Sequence, residues 1–355
     1  MLLQWVRLGL KNLWVALLLC GSALSLNAQA ESRLKAAYDA LNELERLHTV
    51  IIAHRGDIIF ESSWGGPGPF TPVNIKSLSK TVLATLIGQA IAEGVVPSLS
   101  STIGELTPQL IPVHADPRVQ EITVEQLLSM KTGLRGTSGE YYGQWIQSHN
   151  WVENALAQPF IYEPGTERIY STGNSHVLSA MLTELTGQTT WELTQLWLTQ
   201  PLNVILPPWP QDPQGYYFGG NDMMLSPRAL LRLGELYRQQ GMLEGQPILP
   251  ASWVHQAWQP RGVSEWTGDG YGLGWFMSEW QNTTAYYGRG YGGQLLWVIP
   301  EQELTIVVTA SSHPPSPGYP FVVAISDLLK TQLIPALLDN TTLAASGQTR
   351  SSMLQ

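Results

Sequence analysis

Apolar positions along this chain follow two periods, and the switch between them divides the sequence into three stretches. Thr49 to Trp64 (T-V-I-I-A-H-R-G-D-I-I-F-E-S-S-W) is rich in β-branched and aromatic residues and predicts two strands joined by a turn at Arg55-Gly56-Asp57. From Asn74 to Gly94 the period lengthens. Val82, Leu83, Leu86, Ile87, Ala90 and Ile91 recur at helical spacing, and Gly94 supplies a stop. From about Val95 to Gln259 helices alternate with long loops. Thr123–Met130, Ser171–Gly187 and Ser226–Gly241 predict helices, the last with proline in its first turn and glycine at its end. Strand patterning returns at Tyr271 and predicts four more strands, within 271–279, 283–290, 292–300 and 303–310. A polar amphipathic helix is expected over 32–47. Another is expected from Phe321 to about Ile334, because Pro335 follows.

Strands at both ends with helices between them imply one sheet assembled from distant parts of the chain. The expected class is α/β (α+β), with residues 31–94 and 266–338 forming a sheet-containing lobe and 95–265 an inserted helical lobe. A ligand cleft is expected between two such lobes.

Composition narrows the function. Arg7 and Lys11, an apolar run and Ala28-Gln29-Ala30 read as a cleavable export signal over 1–30. That signal implies a periplasmic or secreted protein with no stable membrane span after cleavage. Cys20, the only cysteine among 355 residues, leaves with the leader, which excludes disulfides and thiol chemistry. A formal charge of -9 without a basic cluster argues against nucleic acid as a partner. The seven histidines show no metal-binding spacing, and no phosphate loop is present, so neither a metal nor another cofactor is expected. The fourteen tryptophans suit packing, with some available to line a cleft. The polar tail 339–355 is expected to be disordered.

The candidate chemistry lies at the start of the Asn74–Gly94 helix. Ser77 and Lys80 are three residues apart and share a helix face. A lysine whose pKa is lowered by burial and nearby cations can take the serine proton, and a helix N-terminus favours an oxyanion. Taken alone the pattern is cheap. Ser32 and Lys35 repeat it in a surface setting, and an N-capping serine beside a solvated lysine is the bland alternative for Ser77 too.

Five ordered blocks change that weighting: S-L-S-K at Ser77, I-T-V-E-Q-L-L-S-M-K-T-G-L from Ile122, Y-E-P-G-T-E-R-I-Y-S from Tyr162, G-G-N-D-M-M-L-S-P-R from Gly219, and G-Y-G-G-Q-L-L-W-V-I-P from Gly290. With them the chain, from about Thr49 to Ile334, resembles the penicillin-recognising serine hydrolases. The branch is that of class C β-lactamases, D-alanyl-D-alanine carboxypeptidases, family VIII esterases and 6-aminohexanoate-dimer hydrolase. The resemblance implies a β-lactamase/transpeptidase-like fold, an antiparallel sheet flanked by helices plus a helical lobe.

It also implies three motifs. Ser77 and Lys80 are the first. By context Tyr170-Ser171-Thr172 is the second, with Tyr170 as acid and base and Thr172 in place of the usual asparagine as a substrate-binding donor. Gly288-Arg289-Gly290 is the third, with Gly288 at the usual lysine or histidine position. Arg289 is then a carboxylate-binding candidate and Gly290 a point of close substrate approach, while the N–H groups of Ser77 and Tyr291 form an oxyanion hole. A core role for Tyr170 and an outward-pointing Arg289 remain open. Lys131-Thr132-Gly133 and Ser148-His149-Asn150 spell related motifs in the wrong places and read as coincidence, with Gly133 as a helix C-cap. Tyr141, Tyr142, Trp145, Trp266, Tyr271 and Trp275 are candidates for an apolar pocket, core packing being the default for each.

The expected activity is hydrolysis of a small-molecule or peptide ester or amide through an acyl-Ser77 intermediate. The losses at 172 and 288 tilt the expectation away from potent β-lactamase activity. The rival from another class is a non-catalytic binding or regulatory module that keeps the fold. The sequence does not indicate an oligomeric state.

Overall fold

The structure, a computed structural model, describes residues 29–316 and 318–339. The expected leader, apart from its last two residues, and the tail from 340 lie outside the described residues.

The hairpin read from the first strand signal forms as β1 (Leu47–His54) and β2 (Asp57–Ser63), turning at Arg55 and Gly56, both at positive φ. Six more strands come from the far end of the chain: β3 (Gly262–Val263), β4 (Gly270–Tyr271), β5 (Phe276–Trp280), β6 (Thr283–Gly290), β7 (Gln294–Ile299) and β8 (Leu304–Ala310). They build one eight-stranded sheet in the order β2-β1-β8-β7-β6-β5-β4-β3, antiparallel throughout. Val50 in β1 stands opposite Val308 on one side and Ser62 on the other, so the two ends of the sequence meet in mid-sheet. Every residue of β7 and β8 is buried, which accounts for their unbroken apolar runs.

The sequence predicted no strand before Tyr271 in this half and one continuous strand over 271–279. Instead β3 and β4 are two residues long, and Gly272 and Gly274 separate β4 from β5. Gly274 has φ 75, and a Cβ on it would come within 2.6 Å of Ala84 and 3.0 Å of the Lys80 carbonyl. The break in the strand is where the helix bearing Lys80 presses in.

Helix α1 (Ser79–Ala92) is not the amphipathic element the spacing predicts. Every residue from Ser79 to Ala90 is buried, as in a helix running through a core. Its polar groups find internal partners. The Thr81 hydroxyl donates to the Gly274 carbonyl (2.8 Å), that of Thr85 bonds to the Tyr237 hydroxyl (2.9 Å), and the Gln89 amide reaches the Ile248 carbonyl.

Helix α2 (Thr172–Thr186) ends at Gly187 (φ 68), as its terminal glycine predicted. Helix α3 (Pro227–Arg238) is capped by the Ser226 hydroxyl, which accepts from the Ala229 N–H. It packs across β7 and β8 so closely that a Cβ on Gly234 would meet Thr305 at 2.5 Å. The buried Glu235 of α3 accepts from the Thr305 hydroxyl (2.6 Å) and pairs with Arg238 (2.7 Å). The expected Thr123–Met130 helix forms as Val124–Leu128, with Thr123 and Gln126 in a capping box.

Residues 46–318 form one compact unit, and a single apolar core cluster runs through both its sheet and its helices. The described residues of 1–45 and 319–355 form a second unit. In it, a helix over 29–42 ends well before the expected 47, and Arg33 pairs with Asp339 at 3.4 Å. The helix Tyr319–Asp339 continues past Pro335 instead of stopping there. A π-type turn at Leu329–Leu333 widens the hydrogen-bond spacing just before the proline, whose ring would otherwise strike a carbonyl in the preceding turn. Among the described residues this helix is long and apolar enough, by length and composition, to cross a membrane.

Candidate active site

Ser77 lies in a 3₁₀ turn, Lys76–Leu78, that feeds directly into α1; it is not the N-cap of the α-helix. Lys76, immediately before it, is left-handed (φ 51), a conformation that costs a residue with a Cβ about 1–2 kcal/mol. The surrounding bonds hold the turn in that shape. Lys76 Nζ pairs with Asp222 Oδ1 at 2.9 Å, Asn74 Nδ2 donates to the same oxygen at 2.8 Å, and Asn74 Oδ1 accepts from the Lys76 N–H at 2.9 Å. The Ile75 N–H donates to the Met223 carbonyl at 3.0 Å.

Lys80, only 5% exposed, has three donors and uses all of them. Nζ donates to Ser77 Oγ (3.3 Å), to Thr172 Oγ1 (3.3 Å) and to the Gly220 carbonyl (2.6 Å). It also lies 4.9 Å from the centroid of the Tyr170 ring. The Tyr170 phenol lies close enough to Ser77 and Lys80 to interact electrostatically with both. The three side chains singled out from sequence, which come from separate stretches of chain, therefore converge.

Electrostatics tune the pair. Burial lowers the pKa of Lys80; Tyr170 and Asp222 oppose the shift, and the Arg168 charge reinforces it. Burial raises the pKa of Tyr170, but the Lys80 charge, the polar groups of Ser77 and Lys80 beside the phenol, and the Arg289 charge together take it below the ordinary tyrosine value. Both groups thus give up a proton more readily than they would in water.

β6 closes the third side. A Cβ on Gly290 would lie 2.1 Å from the Ile75 carbonyl oxygen, so only glycine lets the strand pass this close to the serine turn. A Cβ on Gly288 would meet Leu78 at 2.2 Å and the Thr81 hydroxyl at 2.6 Å, which leaves no room there for a lysine or histidine. The cation of this strand is Arg289, its guanidinium 4.7 Å from the centre of the Phe276 ring and 6.0 Å from that of Trp266. Tyr291, at the end of the strand, is partly exposed, and its hydroxyl accepts from the Ser316 N–H (2.8 Å).

Thr172, expected to face substrate, is buried and already engaged, its hydroxyl bonding to Lys80 and to Ser138 Oγ (2.8 Å). A cavity of about 390 Å³ opens beside Tyr170, lined by Tyr141, Ile161, Ile169, Trp266 and Ser138 together with the charged Arg135, Glu140 and Glu265. Of the six aromatic candidates only Tyr141 and Trp266 line it. Trp145, Tyr271 and Trp275 are core residues, and the Tyr142 hydroxyl accepts from the Asn221 amide (2.9 Å).

The two misplaced motifs serve structure. Lys131 Nζ donates to the Arg261 carbonyl (3.1 Å), and Asn150 caps the helix Trp151–Leu156. Gly133 (φ 77) is not a helix C-cap but sits in the following turn, where a Cβ would meet the Tyr162 carbonyl at 2.4 Å; Ser129 caps Val124–Leu128. Sequence reasoning missed Asn74, Lys76, Ser138, Arg168, Gly220 and Asp222. Of these only Arg168, Gly220 and Asp222 fall inside a block that carried the resemblance. Among the described residues no group of three metal-ligating side chains is assembled.

With this geometry in view, the decisive match is to the Beta-lactamase family model, which covers residues 45–321. The chain belongs to the Beta-lactamase family. It is thus a serine hydrolase of the penicillin-recognising superfamily, with the β-lactamase/transpeptidase-like fold the motifs implied. An uncharacterized protein of Alkalihalophilus pseudofirmus is 22% identical over 308 residues, 78% of this chain and 87% of that one. A candidate 6-aminohexanoate-dimer hydrolase from Bacillus anthracis superposes with a TM-score of 0.67 at 17% identity, covering 81% of this chain and 79% of that one. A D-stereospecific amidohydrolase from a Streptomyces species does so with a TM-score of 0.62 at 18% identity, over 78% and 93% of the two chains. At these identities the structural likenesses concern the fold.

Proposed function

We propose that this β-lactamase-family protein cleaves an ester or amide bond by acyl transfer through Ser77. In this reading Ser77 Oγ attacks the carbonyl carbon while its proton passes to the Lys80–Tyr170 pair. The N–H groups of Ser77 and Tyr291 receive the negative charge that develops on the carbonyl oxygen. Collapse of the tetrahedral intermediate breaks the bond to the leaving group, which takes the proton back from the pair and departs. Water then attacks the acyl-serine, giving up its proton to the pair, and the acid is released with Ser77 restored.

The observation that carries this reading is the hydrogen bond of Lys80 Nζ to Ser77 Oγ, with Tyr170 packed against both. The aromatic and aliphatic side chains Tyr141, Ile161, Ile169 and Trp266 beside Tyr170 suit an apolar acyl or leaving group, with Arg135, Glu140 and Glu265 around them. Arg289 is the group on β6 for a substrate carboxylate.

A fluorophosphonate probe followed by peptide mass spectrometry tests the reading. Labelling is expected at Ser77 and is expected to vanish in Ser77→Ala. Hydrolysis of p-nitrophenyl esters at an undiminished rate in Ser77→Ala would reject it.

A further inference from the structure

Arg168, beside the site, carries a charge that the scheme above leaves unused. Its side chain is 7% exposed, and among the described residues its guanidinium makes no well-formed hydrogen bond, its one polar neighbour of note being the Tyr271 hydroxyl. No described carboxylate forms an ion pair with it. It rests on aromatic faces, its guanidinium carbon 4.2 Å from the centroid of Tyr271, 5.5 Å from that of Tyr170 and 5.6 Å from that of Phe276. β3 covers its stem, since a Cβ on Gly262 would sit 3.1 Å from Arg168 Cβ.

An unpaired buried cation is costly, and well-packed apolar replacements for buried charges are often neutral or stabilising. The cost is offset when a neighbouring group gives up a proton, and the neighbours within the reacting set are Tyr170 and Lys80. We propose that Arg168 is a positioning residue for the reaction, a fixed buried charge that favours loss of one proton from the Ser77–Lys80–Tyr170 set. The inference rests on the acyl-transfer reading and adds to it the origin of the free base.

Of the other charges, Arg289 adds to the effect by lowering Tyr170, whereas Arg168 acts on Lys80. Ser77 in the 3₁₀ turn and Lys80 on α1 belong to the set itself. Asp222 divides its charge between Lys76 and Asn74. Arg289 on β6 acts in the same direction as Arg168, but it is less buried and stands where substrate is expected. Tyr271 on β4 is fully buried and is held well above the ordinary tyrosine range by that burial, so it stays protonated. Glu140 and Glu265 line the outer cavity and are exposed to solvent, where their charge is screened.

The test is the pH dependence of the second-order rate of Ser77 labelling by a fluorophosphonate, in the full chain and in Arg168→Met, Arg168→Gln and Arg168→Lys. A charge at this range moves a pKa by about one unit. The acid limb of the profile is therefore expected to move up by about one pH unit in the Met and Gln variants, with labelling about tenfold slower below the limb and unchanged above it. Arg168→Lys keeps the charge and is expected to keep most of the wild-type profile. A limb in the same place in both neutral variants overturns the inference, as does a uniform loss at every pH accompanied by a lower melting temperature, the mark of a merely structural arginine. If the unsubstituted protein does not label at Ser77 at all, the acyl-transfer reading fails first. The two failures are thereby distinct.

Discussion

Lys76 and Asp222, 146 positions apart in the chain, pair at 2.9 Å, and their contact holds the residue before Ser77 in a left-handed turn. Without that pair the turn has every reason to relax, because the conformation is disfavoured for any residue with a Cβ. Asp222→Ala is expected to lower the rate of Ser77 acylation by about a hundredfold, the scale associated with misplacing a reacting atom by about 1 Å. Substrate affinity should change little. Separate measurement of kcat and KM on a p-nitrophenyl ester checks this; a change confined to KM would contradict it.

The lowered pKa values of Lys80 and Tyr170 set the sign of the pH response. A group with a lowered pKa becomes a free base at lower pH, so activity is expected to rise with pH through an apparent value below that of a free tyrosine or lysine and to fall on acidification as the pair takes up its proton. That value belongs to the coupled pair. Lys80→Met is expected to cost about 10²–10⁴-fold in acylation. Stopped-flow acylation across the pH range reads both effects.

Restoring the family lysine at residue 288 offers a counterintuitive check. Gly288→Lys is expected to lower the melting temperature, because its Cβ meets Leu78 and Thr81, and overpacking of this kind costs about 1–3 kcal/mol or more. It should bring no gain in nitrocefin turnover. A stable variant with raised β-lactamase activity would show that β6 can withdraw from the serine turn.

Glu235 links α3 to β8 and is the counter-ion of the nearly buried Arg238. Glu235→Ala strands that arginine, and breaking a buried pair in this way costs about 3–5 kcal/mol. Denaturant unfolding should show a lower midpoint at unchanged slope, and Glu235→Ala/Arg238→Ala should recover part of the loss.

Trp266 forms one wall of the cavity, edge-on to Tyr170 with ring centroids 5.5 Å apart. Trp266→Ala is expected to raise KM about tenfold for long or aromatic esters while leaving acetyl esters little changed, in line with about 1.5 kcal/mol of lost apolar contact. An equal effect on all chain lengths would place the substrate elsewhere.

Local pattern carried much of this molecule. The hairpin at Arg55-Gly56, the caps at Thr123 and Ser226, the glycine stop at Gly187 and the strands β6 to β8 all follow from period, turn chemistry and capping, which act over a few residues. The blocks around Ser77, Tyr170 and Gly290 pointed to the converging side chains. The two-residue strands β3 and β4 left no period to read. The helix through Pro335 defied a local rule because a wider turn upstream absorbs the ring.

The rest is a matter of who meets whom. That α1 is buried on every side, that Gly288 faces Leu78, that Thr172 holds Lys80 and that Arg168 has no counter-ion among the described residues are facts about neighbours distant in sequence. A residue's type states which bonds it can make. Only packing decides which partners come within reach and how much water is left between them, and in a site built from buried charges those two quantities determine where the proton resides.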